Sequence, residues 1–132
     1  MHQITSATEW RGVRTSLLVM GLSLALLVAV GGTALGAIRV VKTVDGNQWQ
    51  PKTKSIARND SIKWKNADNV THNVKAIDLK KDWNFFETLS PGETVKRKFG
   101  KTGNYQYRCT LHSSVSGGQC NGMCGVIRVQ SP

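Results

Sequence analysis

Four side chains in this sequence carry ligand chemistry for a soft or borderline metal ion: His72, Cys109, His112 and Met123. Cys109-Thr110-Leu111-His112 sets a thiolate and an imidazole three residues apart at the end of an alternating run. Met123 follows in Gly122-Met123-Cys124-Gly125, and His72 stands in a distant segment, Thr71-His72-Asn73-Val74. Two imidazoles and one thiolate in a near-trigonal set, with a weak thioether on the axis, suit copper that exchanges one electron. Thiolate and thioether favour Cu(I), whereas imidazole also suits Cu(II), so a rigid site between those preferences changes oxidation state with little movement.

Rival readings use the same residues. Cys109, His112, Cys120 and Cys124 make a four-ligand set for tetrahedral zinc, but that set leaves His72 and Met123 without a role. A two-copper centre of the oxidase type wants two cysteines before its histidine, whereas Cys120 and Cys124 follow His112. Taken singly, His72 reads as a core histidine, Met123 as apolar filling and Cys109 as a buried thiol. Only their convergence argues for a site. The three cysteines are an odd count, so in an oxidising compartment at least one thiol stands outside any internal disulfide.

The elements that must position these ligands are short alternating runs separated by Gly, Asn, Asp and Pro. Ser61-Ile62-Lys63-Trp64-Lys65 and Asn104-Tyr105-Gln106-Tyr107-Arg108-Cys109 alternate polar and apolar, and Gly125-Val126-Ile127-Arg128-Val129 closes the chain. Residues 94–99 alternate less cleanly, because Arg97 falls on the face shared by Val95 and Phe99. After residue 38 no window has a convincing helical period, although residues 76–86 are ambiguous. The pattern predicts an all-β sandwich or barrel. Strand parity turns Tyr105, Tyr107 and Cys109 to one face, with Gln106 and Arg108 to water. By the same rule Met123, Ile127 and Val129 share a face, Cys124 and Arg128 point away, and His72 falls with Val74 and Ala76. A histidine, a cysteine and a methionine thus point inward from three segments. Trp64, Tyr105 and Tyr107 are assigned to the core.

The first 37 residues read as a leader and residues 38–132 as the folded domain. Arg11 and Arg14 precede 24 uncharged residues, 15–38, and small residues around Ala34 and Gly36 follow the apolar heart. That order predicts a cleaved secretory signal, with an uncleaved membrane tether through residues 15–38 as the alternative. Either way the arginines favour a domain outside, in the periplasm or on the outer cell surface. From Ile38 onward 16 Lys and Arg face 7 Asp and Glu, a net charge of +9. Such a field steers toward acidic partners. The basic residues are dispersed and no nucleic-acid motif is present, which argues against nucleic acid.

These residues together resemble the cupredoxins, specifically the plastocyanin-like small blue (type 1) copper proteins. Trp49-Gln50-Pro51, Asp60-Ser61-Ile62-Lys63-Trp64-Lys65-Asn66 and Thr71-His72-Asn73-Val74 look like the family's first half. Leu89-Ser90-Pro91-Gly92-Glu93-Thr94, the Tyr105 run, Cys109-x-x-His112 and Gly122-Met123-x-Gly125-x-Ile127-x-Val129 look like its second. The resemblance implies a Greek-key sandwich of about 7–8 strands after an apolar leader helix. It also implies one copper ion bound by His72, Cys109, His112 and Met123. Asn73 and Thr110 match positions that tie the two ligand loops together. The sequence departs from the family in placing ten residues, 113–122, between His112 and Met123, where about four are usual. A Cys120–Cys124 disulfide bracketing Met123 is an expectation raised by that departure; it would leave Cys109 free for metal.

By resemblance the protein is an electron carrier rather than an enzyme. His112 is then the ligand nearest the surface, with Leu111 and residues 113–118 in a docking patch for an acidic redox partner. The alternative is a copper-binding protein for scavenging or delivery, without redox cycling. A copper-free binding scaffold ranks third, and nothing in the sequence demands more than a monomer.

Overall fold

The structure is a computed structural model of the chain and describes residues 35–77 and 83–132. The expected leader helix lies outside the described residues, apart from residues 35–37. Among the described residues no helix is long and apolar enough to cross a membrane.

Among the described residues nine strands form two sheets: β1 (Ile38–Val44), β2 (Gln48–Gln50), β3 (Thr53–Ala57), β4 (Ser61–Lys65), β5 (His72–Ala76), β6 (Phe86–Leu89), β7 (Thr94–Lys98), β8 (Gly103–Ser116) and β9 (Gln119–Gln130). One sheet has the order β2-β1-β4-β7 and the other β3-β9-β8-β5-β6. Only β1 to β2, β5 to β6 and β8 to β9 are joined within a sheet; the other connections cross to the opposite sheet. The inward faces of both sheets therefore meet in one core, containing Val41, Ile62 and Trp64 from the first and Val74, Tyr107 and Ile127 from the second.

The strand count corrects the expected 7–8. The run around Trp49 splits into β2, three residues long, and β3, two residues further on, which pairs with β9 in the other sheet. A three-residue strand shows too little alternation to be read from sequence. The uneven pattern at Arg97 also has a physical reason. Its guanidinium lies 5.6 Å from the centre of the Trp83 ring and 5.2 Å from that of Phe85. A cation on aromatic faces is tolerated where a bare charge would not be.

The largest departure lies between His112 and Met123. Those ten residues are not a loop, because β8 and β9 continue as a hairpin arm, with Val115 opposite Cys120 and Ser116 opposite Gln119. Gly117 and Gly118 make the two-residue turn with φ of 56° and 76°, a conformation open to glycine and matched to strand twist. The arm folds back over the outer face of its own sheet: Gly118, Gln119 and Cys120 share a shallow groove with Lys52, Ile77, Gln106 and Val126. Cys124, which points away from the core, is consequently buried beneath it.

Candidate metal centre

The two ladder segments of β8 and β9 flank the site. Pairing runs from Gly103 opposite Val129 to Arg108 opposite Cys124, and resumes from Ser113 opposite Gly122 to the arm. Between these segments β8 supplies residues 109–112 and β9 supplies Met123 alone. The surplus on β8 must leave the plane of the sheet, as in a large bulge, and it is this bulge that carries Cys109 and His112. Glycine is required opposite it: Gly122 has φ of 95°, and a Cβ there would stand 2.5 Å from the His112 carbonyl oxygen. The bulge is laced across its base. Arg108 Nη1 donates to the Ser113 carbonyl at 3.0 Å, and the Ser113 hydroxyl donates to the Cys109 carbonyl.

β5 brings the second histidine. His72 and Cys109 are wholly buried, and His112 is half-buried. His72 Nδ1 lies 3.1 Å from His112 Nδ1 and 3.7 Å from Cys109 Sγ, and His112 Nδ1 lies 3.5 Å from the same sulfur. A point equidistant from these three atoms is about 2 Å from each, the length of a first-row metal–nitrogen bond. Two ring nitrogens and a sulfur this close to one another cannot each carry a proton aimed at the others. A cation satisfies all three at once. The donor set therefore fits a metal ion, and imidazole with thiolate fits copper.

Further contacts fix the ligands. The Asn73 backbone N–H donates to Cys109 Sγ at 3.4 Å. Asn73 Nδ2 donates to Thr110 Oγ1, and the Thr110 N–H donates to Asn73 Oδ1, both at 2.8 Å. His72 Nε2 lies 2.7 Å from Asp68 Oδ2. Burial pushes the Asp68 carboxyl up, but bonds from the Val70 N–H and the His72 ring outweigh it and hold it below the ordinary carboxylate value.

Met123 is fully buried in the same apolar cluster as Cys109, on the face parity assigned to it. Cys120 and Cys124 are joined by a disulfide across it, and Cys109 is the free thiol. The zinc set is thereby excluded, since two of its four ligands are bonded to each other. Residues 113–118, expected with Leu111 in the docking patch, form the hairpin arm and its turn, and Leu111 beside His112 is 58% exposed. Sequence reasoning missed Asp68, Ser113 and Gly122. The available signals were an acid four residues before His72, a serine four after Cys109 and a glycine before Met123.

Residues 38–130 match the family of copper binding proteins, plastocyanin/azurin. Among solved structures the chain is similar to a copper-containing nitrite reductase from Thermus scotoductus SA-01, at 28% identity and a TM-score of 0.59. The match covers 74% of this chain but only 23% of that one. Two amicyanin variants match at TM-scores of 0.58, with identities of 20% and 21%, over 71% and 72% of this chain and 82% and 83% of theirs. At those identities the amicyanins support the fold.

Proposed function

We propose that this chain, which belongs to the plastocyanin/azurin family of copper-binding proteins, carries electrons one at a time on a single type 1 copper held by His72, Cys109, His112 and Met123. The observation that carries the reading is the convergence of Cys109 Sγ and two histidine Nδ1 atoms within a few ångströms in a buried pocket. Bound copper supplies the one-electron couple. The chain's own groups supply the rest: the Asn73 N–H stabilises thiolate charge on Cys109, and the burial of His72, Cys109 and Met123 keeps water out.

His112, beside exposed Leu111, is the exit for the electron, and the basic surface favours an acidic redox partner. The protein has no substrate chemistry of its own in this reading. The similarity to the nitrite reductase brings its fold and copper chemistry, not its reaction, because the matched part is less than a quarter of that chain. The domain works as a monomer outside the cytoplasm, delivered by the leader segment. A buried thiolate and a buried thioether favour cycling over copper delivery, which needs a site open enough to release its ion.

The test is the visible and EPR spectrum of residues 38–132 loaded with Cu(II). An intense thiolate-to-copper band with narrow copper hyperfine splitting, both lost in Cys109→Ala, is expected. A pale site with ordinary splitting would remove the carrier reading.

A further inference from the structure

We propose that Asp68 is a positioning residue for the metal centre: its carboxylate accepts a hydrogen bond from the His72 Nε2–H, fixes the ring tautomer and places a negative charge beside the site. The inference rests on the copper reading above and assigns a task to a residue that the ligand set does not include.

The geometry leaves the His72 ring little choice. It is wholly buried, so its Nε2 has no water to bond, and the Asp68 Oδ2 stands 2.7 Å away. A carboxylate accepts and cannot donate, so Nε2 carries a proton, and in the neutral ring Nδ1 presents the lone pair. That lone pair points to His112 Nδ1 and Cys109 Sγ.

Asp68 is itself held from several sides, as a positioning group must be. Its other oxygen accepts the Val70 N–H at 3.1 Å, and its own N–H donates to Asn66 Oδ1 at 3.2 Å. Asn66 is fully buried and anchors the turn, donating through Nδ2 to the Val70 carbonyl at 2.7 Å and the Leu89 carbonyl at 2.9 Å. Thr43 on β1 donates to Asn66 Oδ1 at 3.2 Å. A line of bonds thus runs from the first sheet through Asn66 and Asp68 to the ring. Histidine ligands backed by carboxylates are oriented and made more basic by them. The charge also distinguishes the two copper states, because a nearby anion stabilises Cu(II) more than Cu(I).

The experiment compares Asp68→Asn, which keeps an acceptor and removes the charge, with Asp68→Ala, which removes both. In the copper-free domain, 15N NMR of the His72 ring reads the tautomer directly. The expected result is a single Nε2–H form in the unsubstituted protein and in Asp68→Asn, and a mixture in Asp68→Ala. In the copper-loaded domain, Asp68→Asn should lower the ratio of Cu(II) to Cu(I) affinity by about tenfold, raising the reduction potential, and Asp68→Ala should cut Cu(II) affinity about 10–100-fold. A ring that keeps one tautomer in Asp68→Ala overturns the positioning, and an unchanged affinity ratio in Asp68→Asn overturns the charge effect. If Asp68→Ala does not fold, a wrong or mixed tautomer in the unsubstituted protein or in Asp68→Asn still overturns the positioning. Failure of the unsubstituted protein to form a blue site would sink the copper reading alone, since the NMR comparison needs no metal.

Discussion

Asn73 and Thr110, on adjacent strands of one sheet, exchange two hydrogen bonds of 2.8 Å through side chain and backbone. The pair is the bolt between the segment that holds His72 and the bulge that holds Cys109 and His112. Asn73→Ala leaves the Thr110 N–H and hydroxyl without those partners and should cost about 1–3 kcal/mol. Denaturant unfolding of the copper-free domain checks this, and a loss below a few tenths would show that water replaces the pair. The loaded variant should also lose copper faster to a chelator.

Gly122 and Gly118 separate two reasons for glycine. Both have positive φ, but a Cβ at Gly118 meets nothing within 4 Å, whereas one at Gly122 runs into the His112 and Ser113 backbone. Gly118→Ala should cost about 1 kcal/mol through backbone conformation alone. Gly122→Ala should cost clearly more and alter the spectrum of the loaded site, because relief requires His112 to move. Equal losses and identical spectra would show that the arm yields instead.

The Cys120–Cys124 bond closes a ring of few residues, so its chain-entropy contribution is about 2 kcal/mol. Replacing both cysteines by serine should lower the unfolding midpoint modestly and leave the blue colour, since Cys109 is untouched. Loss of colour would mean that the bond, and not the ladder around it, sets the position of Met123.

How much of this was legible in the sequence depends on the reach of each interaction. Tyr105, Tyr107 and Cys109 announce their face by alternation, and the structure buries all three. Residues 113–116, Ser-Ser-Val-Ser, carry no alternation worth reading, and a Gly117-Gly118 pair without alternating flanks does not by itself announce a hairpin. Asp68 lacks a periodic signal for another reason. Its bond to His72 exists only once Asn66 has folded the intervening turn, and no local periodicity records that.

Tyr107 supplies a pH dependence. Burial raises its phenol well above the ordinary value of about 10, and the indole N–H of Trp64 offsets only part of that rise. The folded form holds its proton while the unfolded chain releases it. Stability is therefore complete below about pH 10 and falls as pH rises past it, by about 1.4 kcal/mol per unit from this group. Among the described residues the hydroxyl has no partner at hydrogen-bonding geometry, so Tyr107→Phe should cost little at neutral pH. Urea midpoints measured for both proteins between pH 8 and 11 should converge or cross as pH rises; parallel curves would show that the phenol ionises in place.

The ladder beyond the bulge makes the length of the chain between His112 and Met123 a separate variable from the geometry of the site. Because residues 113–122 are paired across the arm rather than draped over the ligands, adding or removing one residue on each side changes the arm by a single rung. The rungs that border the metal centre stay where they are. An unmatched insertion has the opposite effect, turning every later side chain of its strand to the other face. The arm can therefore be lengthened in paired steps while the end that holds His72, Cys109 and His112 keeps its dimensions.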